Sequence, residues 1–520
     1  MSREEKPYHP ERAKGPAGEG HGQGPERGTT RDGSPRVLFV SPEASPLAMT
    51  GGLGDVAGAL PQALLRLGAD VRVVLPFYRG VRKRMEGSAP VLTEVEVPLG
   101  GQDLRCAVRE GRLGRVPLYL LDREDLYDRP NLYAAPRGDY YDNLERFTFL
   151  CHAALRIPGA LSWTPDVVHC HDWQTGLVAP LLKGPYRGDP SVATARMVFT
   201  IHNAGYQGLF PAEKLEVTGL SRAECYHPEG LEYWGSLSLL KAGAVYSDAL
   251  TTVSSTYARE ICTPELGLGM EGVFRARGDS LKGILNGADY GRWDPARDPH
   301  IAAGYGPGNM QGKSRCRKAL VQETGLDGVP GDRPILGVVS RLDRQKGMDL
   351  LAQALPELVA LDTGIVILGN GDMRIQEALE RAAAPYAGRV SLRIGFDEGF
   401  SHRIMAGADF LLVPSLYEPC GLTQIYALRY GTIPVARATG GLKDTIRDGE
   451  NGFLFEPYDA GALAEAVKRA VRAFSRKKEW PRMVRNAMSA DFSWDRSAAL
   501  YMELYEALMG RKAGGVSAHG

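Results

Sequence analysis

Residues 36–76 read RVLFVSPEASPLAMTGGLGDVAGALPQALLRLGADVRVVLP. An apolar run of strand type opens this stretch, a glycine-rich loop follows, and apolar residues then recur at helical spacing from Val56 to Leu67. A second apolar run, DVRVVLP, begins at Asp70. A strand, a loop, a helix and a strand in this order predict two parallel strands joined by a right-handed crossover. The stretch therefore predicts an α/β fold.

Further apolar runs of strand type fall into two groups along the chain. The first group consists of PDVVHC (165–170), RMVFTI (196–201), ALTTV (249–253) and LKGIL (281–285). The second group consists of PILGVVS (334–340), GIVILGN (364–370), VSLRIGF (390–396), DFLLVPS (409–415) and TIPVAR (432–437). Segments of helix length separate most of these runs. We expect two Rossmann-like, doubly wound domains that face each other across a cleft, with ligands beyond the carboxyl ends of the strands.

The boundary between the two domains is predicted after Asn286, where the sequence becomes rich in Gly, Pro and Asp. We expect an N-terminal domain over residues 35–286 and a C-terminal domain over residues 287–510, whose last helix packs back on the N-terminal domain. Residues 1–34 contain no Leu, Ile, Val or Phe. They are expected to form a disordered extension, and residues 511–520 a disordered tail, because neither can bury enough apolar surface to offset its ordering entropy.

Composition narrows the class of protein. The 520 residues carry 62 Lys and Arg against 62 Asp and Glu, a formal net charge of +0. This balance argues against a nucleic-acid partner and against an anionic membrane surface, and no apolar run is long enough to cross a membrane. The seven cysteines form no CxxC pair, which fits reduced thiols. Since the N-terminus also lacks a secretory signal, we expect a cytoplasmic protein, and we expect no cofactor.

The loop before the first helix contains Gly51 and Gly52, followed by Asp55. Glycines at the start of a helix let backbone N–H groups approach an anion, and the helix N-terminus adds partial positive charge. The alternative is a tight turn in which Asp55 caps the helix. The spacing does not match the dinucleotide pattern GxGxxG, which argues against a dehydrogenase.

Polar residues gather at the ends of two strands of the first group. The strand PDVVHC leads through His169 into His171 and Asp172, and the strand RMVFTI leads into His202 and Asn203. Hydrogen bonding to a polar ligand is the favoured role for these side chains. A zinc site is the alternative, but no carboxylate-rich motif accompanies the histidines, so no metal is expected. A further alternative makes His169 a hydrogen-bonded histidine of the core.

The second domain opens its first loop with a pair of cations, Arg341 and Lys346. A fork-shaped guanidinium and a compact ammonium five residues apart suit a diphosphate. The alternative is a solvated surface turn. The chain contains no DxD sequence that would bridge a diphosphate through a metal, so the two cations themselves are expected to neutralise the leaving group.

The stretch SLYEPCGLTQIYALRYG (415–431) places Glu418 directly after a strand. Cys420, Gly421, Leu422 and Thr423 then begin a helix whose free N–H groups can receive phosphate oxygens. A carboxylate beside a phosphate site is expected to bind hydroxyl groups of an attached sugar or to stabilise a developing oxocarbenium ion. The alternative is an ordinary carboxylate at the start of a helix.

Taken together, these residues resemble the bacterial glycogen synthase and plant starch synthase family of retaining glucosyltransferases. The resemblance runs from about Val37 to about Tyr505. It rests on TGGLGDV (50–56), LYDRP (126–130), DNLERF (142–147), HCHDWQTG (169–176), IHNAGYQG (201–208), LKAG (240–243), LNGAD (285–289), SRLDRQKG (340–347), FSHRIMAGAD (400–409), EPCGLTQ (418–424), TGGLKDT (439–445) and DFSW (491–494). The resemblance implies the two-domain GT-B fold.

The resemblance also implies a reaction and its partners. Glucose would pass from ADP-glucose, or from UDP-glucose, to the non-reducing 4-hydroxyl of an α-1,4-glucan, with the α configuration retained. Arg341 and Lys346 would hold the donor phosphates and stabilise the departing nucleoside diphosphate. Glu418 would sit at the sugar as a nucleophile or as an electrostatic stabiliser, and we favour the stabiliser, with the leaving phosphate assisting the incoming hydroxyl on the same face.

The remaining site residues carry roles implied by the same resemblance. His202 would meet the 6-hydroxyl of the glucose, and Asn286 would bind the sugar or a phosphate. Asp172, Tyr127 and Asn203 would line the reaction cleft on its acceptor side. The rest of the donor pocket would be formed by Gly51, Gly52, Cys420, Gly421, Leu422 and Thr423.

One residue departs from the family pattern. The family usually has lysine immediately before the TGG of the first loop, and this chain has Met49. Methionine supplies no cation to the donor. Two alternatives follow from this departure, a catalytically weak glucan-binding or regulatory homologue and a transferase for another nucleotide sugar. Because Arg341, Lys346 and Glu418 are all present, we favour an active glucan synthase.

Overall fold

The computed structural model describes residues 33–85, 87, 89–135 and 138–510. The expected disordered tail lies outside the described residues, and so does the expected extension up to residue 32. Within the described part of the chain, no helix combines the length and the apolar character needed to cross a membrane.

The strands of the N-terminal half are β1 (Arg36–Val40), β2 (Asp70–Pro76), β3 (Pro90–Leu99), β4 (Gln102–Leu113), β5 (Val116–Asp122), β6 (Ala134–Ala135), β7 (Gly138–Asp139), β8 (Val167–His171), β9 (Arg196–Ile201), β10 (Leu209–Pro211), β11 (Glu232–Tyr233), β12 (Ser236–Ser238), β13 (Ala249–Thr252) and β14 (Leu281–Gly283). The described strands of the large sheet lie in the order β14-β13-β9-β8-β1-β2-β5-β4-β3. Its pairs are parallel from β14 to β5 and antiparallel from β5 to β3.

The strands of the C-terminal half are β15 (Ile335–Val339), β16 (Gly364–Gly369), β17 (Val390–Ile394), β18 (Phe410–Val413), β19 (Ile433–Arg437) and β20 (Phe453–Phe455). They form a second sheet in the order β17-β16-β15-β18-β19-β20, and all of its described pairs are parallel. Two doubly wound α/β sheets are therefore present, as the sequence predicts.

The helices of the N-terminal half are α1 (Gly52–Arg66), α2 (Arg79–Arg84), α3 (Glu124–Tyr127), α4 (Asn143–Ala160), α5 (Val178–Lys183), α6 (Arg222–Cys225), α7 (Leu239–Tyr246), α8 (Ser255–Glu260), α9 (Pro264–Gly267) and α10 (Glu271–Ala276). Those of the C-terminal half are α11 (Gln311–Thr324), α12 (Met348–Ala360), α13 (Met373–Ala383), α14 (Glu398–Gly407), α15 (Thr423–Arg429), α16 (Gly440–Thr445), α17 (Ala460–Phe474), α18 (Trp480–Ser489) and α19 (Trp494–Leu508).

The order of strands in each sheet reverses at one point, and this reversal positions the site. In the first sheet β1 lies between β2 and β8, so the chain runs outward through β2 and later returns to the other side of β1. In the second sheet β15 lies between β16 and β18 in the same way. Loops at such a switch point diverge to opposite faces and leave a crevice in which ligands bind.

The antiparallel edge formed by β3 and β4 is absent from the strand series that the sequence predicts. Five of the ten residues of β3 are exposed and two, Val95 and Val97, are buried, while β4 alternates between more exposed and more buried positions. An antiparallel edge with one solvated face reads as alternation and not as a continuous apolar run. A search for apolar runs therefore passes over these two strands.

The last helix, α19, packs against α1 of the N-terminal half. Its side chains Trp494, Tyr501, Leu504 and Tyr505 belong to the same buried cluster as β1, β2 and β8. The Tyr505 hydroxyl lies 2.7 Å from Nδ1 of His169 on β8. α19 thus contributes side chains to the core of the first sheet.

Candidate active site

The switch point of the second sheet brings Lys346 and Glu418 into contact. Lys346 follows β15 and Glu418 follows β18, and the Lys346 ammonium donates to Glu418 Oε2 at 2.6 Å. Ser415 Oγ donates to the same carboxylate oxygen at 3.0 Å. The Glu418 side chain is 7% exposed and that of Lys346 is 21% exposed. A partly desolvated pair of this kind holds both charges in place at the edge of the sheet.

Arg341 lies in the same loop as Lys346 but is more open to solvent. Its side chain is 48% exposed and forms an ion pair of 2.9 Å with Asp343. It also donates to Gln345 Oε1 at 3.0 Å. Both partners belong to its own loop, so the guanidinium is oriented locally while it stays accessible to an anion.

The turn after Glu418 is shaped by glycines. Gly421 has φ +70°, a left-handed conformation that side chains rarely adopt, and a Cβ there would collide with the Gln424 side chain. Gly440 has φ +44°, and a Cβ there would overlap the carbonyl oxygen of Glu418. The backbone of α16 therefore approaches the Glu418 turn more closely than any residue with a Cβ allows.

The other predicted donor residues of this turn lie at the beginning of α15. Leu422 precedes the helix, Thr423 is its first residue, and both side chains are partly exposed. Cys420 is buried, and burial raises the pKa of its thiol to about 12. The Cys420 thiol is therefore protonated at neutral pH. It packs within the turn and does not act as a nucleophile.

In the N-terminal half, β8 and β9 bring Asp172 and His202 together. The backbone N–H of His202 donates to Asp172 Oδ1 at 2.7 Å. Asp172 adopts φ +56°, an uncommon conformation for a residue other than glycine. Burial raises the pKa of Asp172 to about 7. Such residues concentrate at functional sites, where strain and burial hold a group in a fixed position.

The two histidines of this region are neutral. Burial lowers the pKa of His202 to about 3 and also lowers that of His171. His202 Nε2 lies 3.1 Å from Nδ1 of His171, so one ring nitrogen donates a hydrogen bond and the other accepts it. The His202 ring is therefore a neutral hydrogen-bonding group.

His169 differs from its two neighbours because both of its ring nitrogens have partners inside the protein. Nδ1 lies 2.7 Å from the Tyr505 hydroxyl, and Nε2 lies 2.6 Å from Thr200 Oγ1. It is fully buried. These contacts match the alternative of a hydrogen-bonded core histidine.

Asn203 and Asn286 lie near the contact between the two halves. Asn203 Oδ1 accepts from the backbone N–H of Gly205 at 2.9 Å, and a Cβ on Gly205 would lie 3.1 Å from both this oxygen and the Tyr417 hydroxyl of the C-terminal half. Asn286 is buried, and its side-chain oxygen has no hydrogen-bond partner among the described residues. An unsatisfied buried acceptor costs free energy unless a ligand or water supplies a donor.

The structure corrects the expectation that Tyr127 lines the cleft. The Tyr127 side chain is fully buried, and its hydroxyl donates to the carbonyl oxygen of Arg146 at 2.9 Å. Its ring packs edge-to-face against Tyr78 and Phe149. Tyr127 therefore supports α4 from within the core and presents no surface to a ligand.

The glycine loop before α1 is open where the predicted glycines lie. Gly51 and Gly52 are exposed, and a Cβ on either would meet no atom within 4 Å. Asp55 does not cap the helix, since it lies inside the first turn and burial raises its pKa to about 6. The open backbone leaves room for a ligand, and Met49 beside it is 42% exposed.

Glu43 is a buried residue beside the candidate site that the sequence patterns miss. It is 3% exposed and accepts from the backbone N–H and from the hydroxyl of Thr50, both at 2.7 Å. The Tyr133 hydroxyl donates to it as well, at 2.7 Å. Glu43 thus fixes the glycine loop. The sequence feature that could have identified Glu43 is its position in the loop directly after β1, at a switch point of the sheet.

The N-cap of α8 and two residues within this helix hold the C-terminal half against the N-terminal half. Ser254 Oγ, at the start of α8, donates to the carbonyl oxygen of Pro419 at 2.6 Å. Thr256 donates to the Asp444 carboxylate through its backbone N–H at 2.8 Å and its hydroxyl at 2.6 Å. Glu260 accepts from the backbone N–H of Gly440. These bonds place the Glu418 turn beside α8, the helix that directly follows β13.

Comparisons with known proteins match both halves of this arrangement. The family described as "Starch synthase catalytic domain" matches residues 36–276, and the family described as "Glycosyl transferases group 1" matches residues 327–487. The glycogen synthase of Anaeromyxobacter dehalogenans strain 2CP-C is 48% identical over 479 residues, which cover 91% of this chain and 99% of that protein. The chain belongs to the glycogen synthase and starch synthase family. It is a glucosyltransferase with the GT-B fold.

Other members of the family agree along most of the chain. The glycogen synthase of Geotalea daltonii is 43% identical over 483 residues, which cover 92% of this chain and 99% of that protein. Among solved structures, the catalytic domain of starch synthase IV from Arabidopsis thaliana, bound to ADP and acarbose, is similar with a TM-score of 0.85. That structure is 34% identical in sequence, and the match covers 92% of this chain and 100% of the other. The family assignment therefore extends over both sheets.

Proposed function

We propose that the protein transfers glucose from ADP-glucose to the non-reducing end of an α-1,4-glucan with retention of the α configuration. The observation that carries the proposal is the contact of 2.6 Å between Lys346 and Glu418 at the switch point of the second sheet. In the proposal, this ammonium serves the leaving phosphate and the neighbouring carboxylate serves the sugar. The starch synthase IV structure, which holds ADP, supports an adenine nucleotide as the leaving group.

In this proposal Arg341 and Lys346 act on the diphosphate. As the bond between the glucose C1 and the phosphate oxygen breaks, negative charge grows on the diphosphate, and two nearby cations stabilise it more strongly than they stabilise the intact donor. The exposed Arg341 side chain has room to turn toward the phosphates, while Lys346 is already oriented by Glu418. This chemistry calls for no divalent ion.

We assign Glu418 to electrostatic stabilisation of the sugar. Both of the hydrogen bonds described for its carboxylate go to Oε2, so Oε1 is the oxygen left to face a ligand. A carboxylate at this position stabilises positive charge on the sugar ring as the leaving group departs. The incoming 4-hydroxyl would then give its proton to a phosphate oxygen and bond to C1 on the face that the phosphate leaves.

The N-terminal half would hold the sugar and the acceptor. The neutral His202 ring can exchange hydrogen bonds with the glucose 6-hydroxyl, and the unsatisfied oxygen of Asn286 can accept from a sugar hydroxyl. Asp172 and Asn203 would line the cleft on the acceptor side. Gly51 and Gly52, which leave their loop open, would contribute to the donor pocket together with Cys420, Gly421, Leu422 and Thr423.

We also place the protein in the cytoplasm. Its seven cysteines are free thiols, and most of them are buried. Reduced cysteines in this number fit a reducing compartment, where disulfides rarely form.

The test is incorporation of labelled glucose into glycogen from ADP-glucose and from UDP-glucose in parallel, followed by NMR of the new linkage. We expect ADP-glucose to react at least about tenfold faster, which corresponds to about 1.4 kcal/mol of discrimination, and the new linkage to be α-1,4. Faster transfer from UDP-glucose would overturn the choice of donor, and a β linkage would overturn retention. Glycogen binding without transfer from either donor would instead support the glucan-binding homologue that Met49 suggests.

A further inference from the structure

We propose that His300, Glu398 and His402 form a zinc site that joins the segment between the two sheets to α14. One ligand atom from each of the three side chains lies within 4.8 Å of the others, and this group comes from the described part of the chain. Two imidazoles and a carboxylate are ligands that zinc prefers. None of the three residues belongs to the switch-point loops, so the inference does not rest on the proposed function.

The ligand spacing follows from the helix. Glu398 is the first residue of α14 and His402 follows four positions later, so both side chains lie on the same face of the helix. His300 approaches that face from the preceding segment, and its ring centroid lies 4.9 Å from that of His402. Ligand atoms around a tetrahedral zinc lie about 3.3 Å apart, so a small inward movement of the exposed His300 would bring the three ligand atoms to this spacing, and water would take the fourth position.

His402 carries the strongest indication of a missing partner. Its side chain is 1% exposed, and Nε2 is buried with no hydrogen-bond partner among the described residues. Nδ1 lies 2.7 Å from Asp298 Oδ2, which assigns the proton to Nδ1 and leaves the lone pair on Nε2. Trp293 stacks on the ring at 3.7 Å and fixes its plane. The ring is thus held in a fixed orientation, and its Nε2 lone pair is available to a metal ion.

Asp298 organises both histidines. While Oδ2 accepts from His402, Oδ1 accepts from the backbone N–H of His300 at 2.9 Å. Tyr430 donates its hydroxyl to the same carboxylate. A carboxylate that receives the second ring N–H of a ligating histidine is the usual support of a protein zinc site, because it fixes the ring and raises its basicity.

Two arginines lie close to the three proposed ligands. Their positive charges would oppose zinc binding unless carboxylates pair with them. Arg292 donates to Glu398 Oε1, with Nε at 3.0 Å. Both of these bonds go to the same oxygen, so Oε2 is the one available to the metal. Arg403 is held by two bonds to Glu323, at 2.8 and 2.9 Å. Arg292 is therefore the group that competes with zinc for Glu398.

The site would act as a structural clip. Trp293, which stacks on His402, also stacks on Tyr426 of α15 at 4.3 Å. Tyr426 belongs to the helix that follows the Glu418 turn. A bound ion would hold His300 to α14. It would thereby restrict the movement of His402 and of the Trp293 ring that stacks on it. The expected consequence is higher thermal stability, since an ion that binds only the folded chain shifts the unfolding equilibrium.

The experiment titrates zinc into the full-length protein after chelator treatment and desalting. Isothermal calorimetry measures the stoichiometry, and the visible spectrum of substituted cobalt reports nitrogen and oxygen coordination without a thiolate band. We expect one zinc per chain, a raised unfolding temperature with zinc and no rise with magnesium. The glucosyl transfer rate should be the same with chelator and with zinc.

Variants locate the site without disturbing a buried residue. His300→Ala and Glu398→Gln should each weaken zinc binding at least tenfold, and Arg292→Gln should strengthen it severalfold. His227→Ala, at another exposed histidine, is the matched control and should bind as the wild type does. Cys262→Ser removes the partly exposed thiol and should also leave binding unchanged. Absence of stoichiometric zinc from the wild type, or unaltered binding by both ligand variants, overturns the proposal.

Discussion

At the scale of the residue, the proposed function assigns the paired charges of Lys346 and Glu418 to the two opposite charges that bond cleavage would create. We predict that Glu418→Gln, which keeps the size of the side chain and removes its charge, lowers the turnover number by about 10²–10³-fold. The Michaelis constant for the donor should change much less, because the carboxylate matters most in the transition state. Initial rates over a range of ADP-glucose concentrations give both quantities.

The matched control for this prediction is Glu465→Gln. Glu465 pairs with Lys468 at 3.4 Å on the exposed surface of α17, so its replacement removes an equivalent carboxylate far from any predicted site residue. Its turnover should equal that of the wild type. A Glu418→Gln variant that is folded by circular dichroism and turns over at nearly the wild-type rate contradicts the assigned role.

The second residue prediction concerns Met49. Its side chain is 42% exposed beside the open glycine loop, so a lysine there would keep its ammonium hydrated until the donor arrives. Met49→Lys adds one charge-assisted hydrogen bond to a phosphate, worth about 1.5–3 kcal/mol before the cost of ordering the side chain. We therefore expect donor binding to become about tenfold tighter.

Titration of ADP-glucose and UDP-glucose against both proteins measures this effect. Leu500→Lys is the control, because Leu500 is similarly exposed, at 44%, on the outer side of α19. A dissociation constant that stays level or rises for both donors would mean that the pocket has been rebuilt around methionine and that another cation already serves the phosphate.

At the scale of the element, α4 makes the protein sensitive to acid. His152 on this helix is buried, and its ring nitrogens each lie 3.0 Å from a partner, the Tyr186 hydroxyl and the Thr218 carbonyl oxygen. Burial lowers the pKa of His152 from 6.5 to about 4. Between these two values the unfolded chain binds a proton that the folded chain does not bind. The stability from this group is therefore present above pH 6.5 and is lost as the pH falls toward 4.

His152→Gln removes that contribution and keeps an amide for the same two partners. As the pH falls from 6.5 toward 4, the free energy of unfolding of the wild type should decrease by about 1.4 kcal/mol per pH unit more than that of the variant. Urea unfolding at several pH values gives the slopes. His227→Gln, at an exposed histidine, should follow the wild type. Equal slopes for wild type and His152→Gln would refute the assignment.

The elements also show why part of the fold is visible in the sequence. Buried parallel strands such as β1 and β16 are continuous apolar runs, so their order predicts the two α/β sheets. The edge strands β3 and β4 have one solvated face and give no such run. At the site, motifs indicate which loops carry chemistry, but the burial of Tyr127 depends on the packing of α4, which no local pattern contains.

Residues that position other site residues are also hard to predict from the sequence. Glu43 fixes the glycine loop through Thr50, and Asp298 orients His300 and His402. Each is a single carboxylate without a motif, and its partners come together only after the chain folds. The domain boundary after Asn286 stays a prediction, and so does the catalytic role of Glu418, which the Glu418→Gln variant tests.

At the scale of the whole molecule, α8 and α19 both link the two halves. α8 of the N-terminal half binds the Glu418 turn and α16, and α19 returns from the C-terminal half to the first sheet. A rotation of one sheet relative to the other would have to break the bonds of α8, whereas α19 would move with the N-terminal half. α19 is thus packed as part of the N-terminal half.

This arrangement predicts which half of the protein loses stability when a buried side chain of α19 is truncated. Leu504 is 5% exposed within the N-terminal core, and Leu500, one turn earlier on the same helix, is 44% exposed. Leu504→Ala leaves a cavity and should cost about 2–5 kcal/mol of unfolding free energy, while Leu500→Ala should stay within about 0.5 kcal/mol of the wild type. Hydrogen exchange should accelerate in β1, β8 and α1, which share the core with Leu504, and should stay slow in β15 and β16. Acceleration confined to the second sheet would show that α19 stabilises the half from which it comes, and an unchanged stability of Leu504→Ala would show that the helix contributes little to either core.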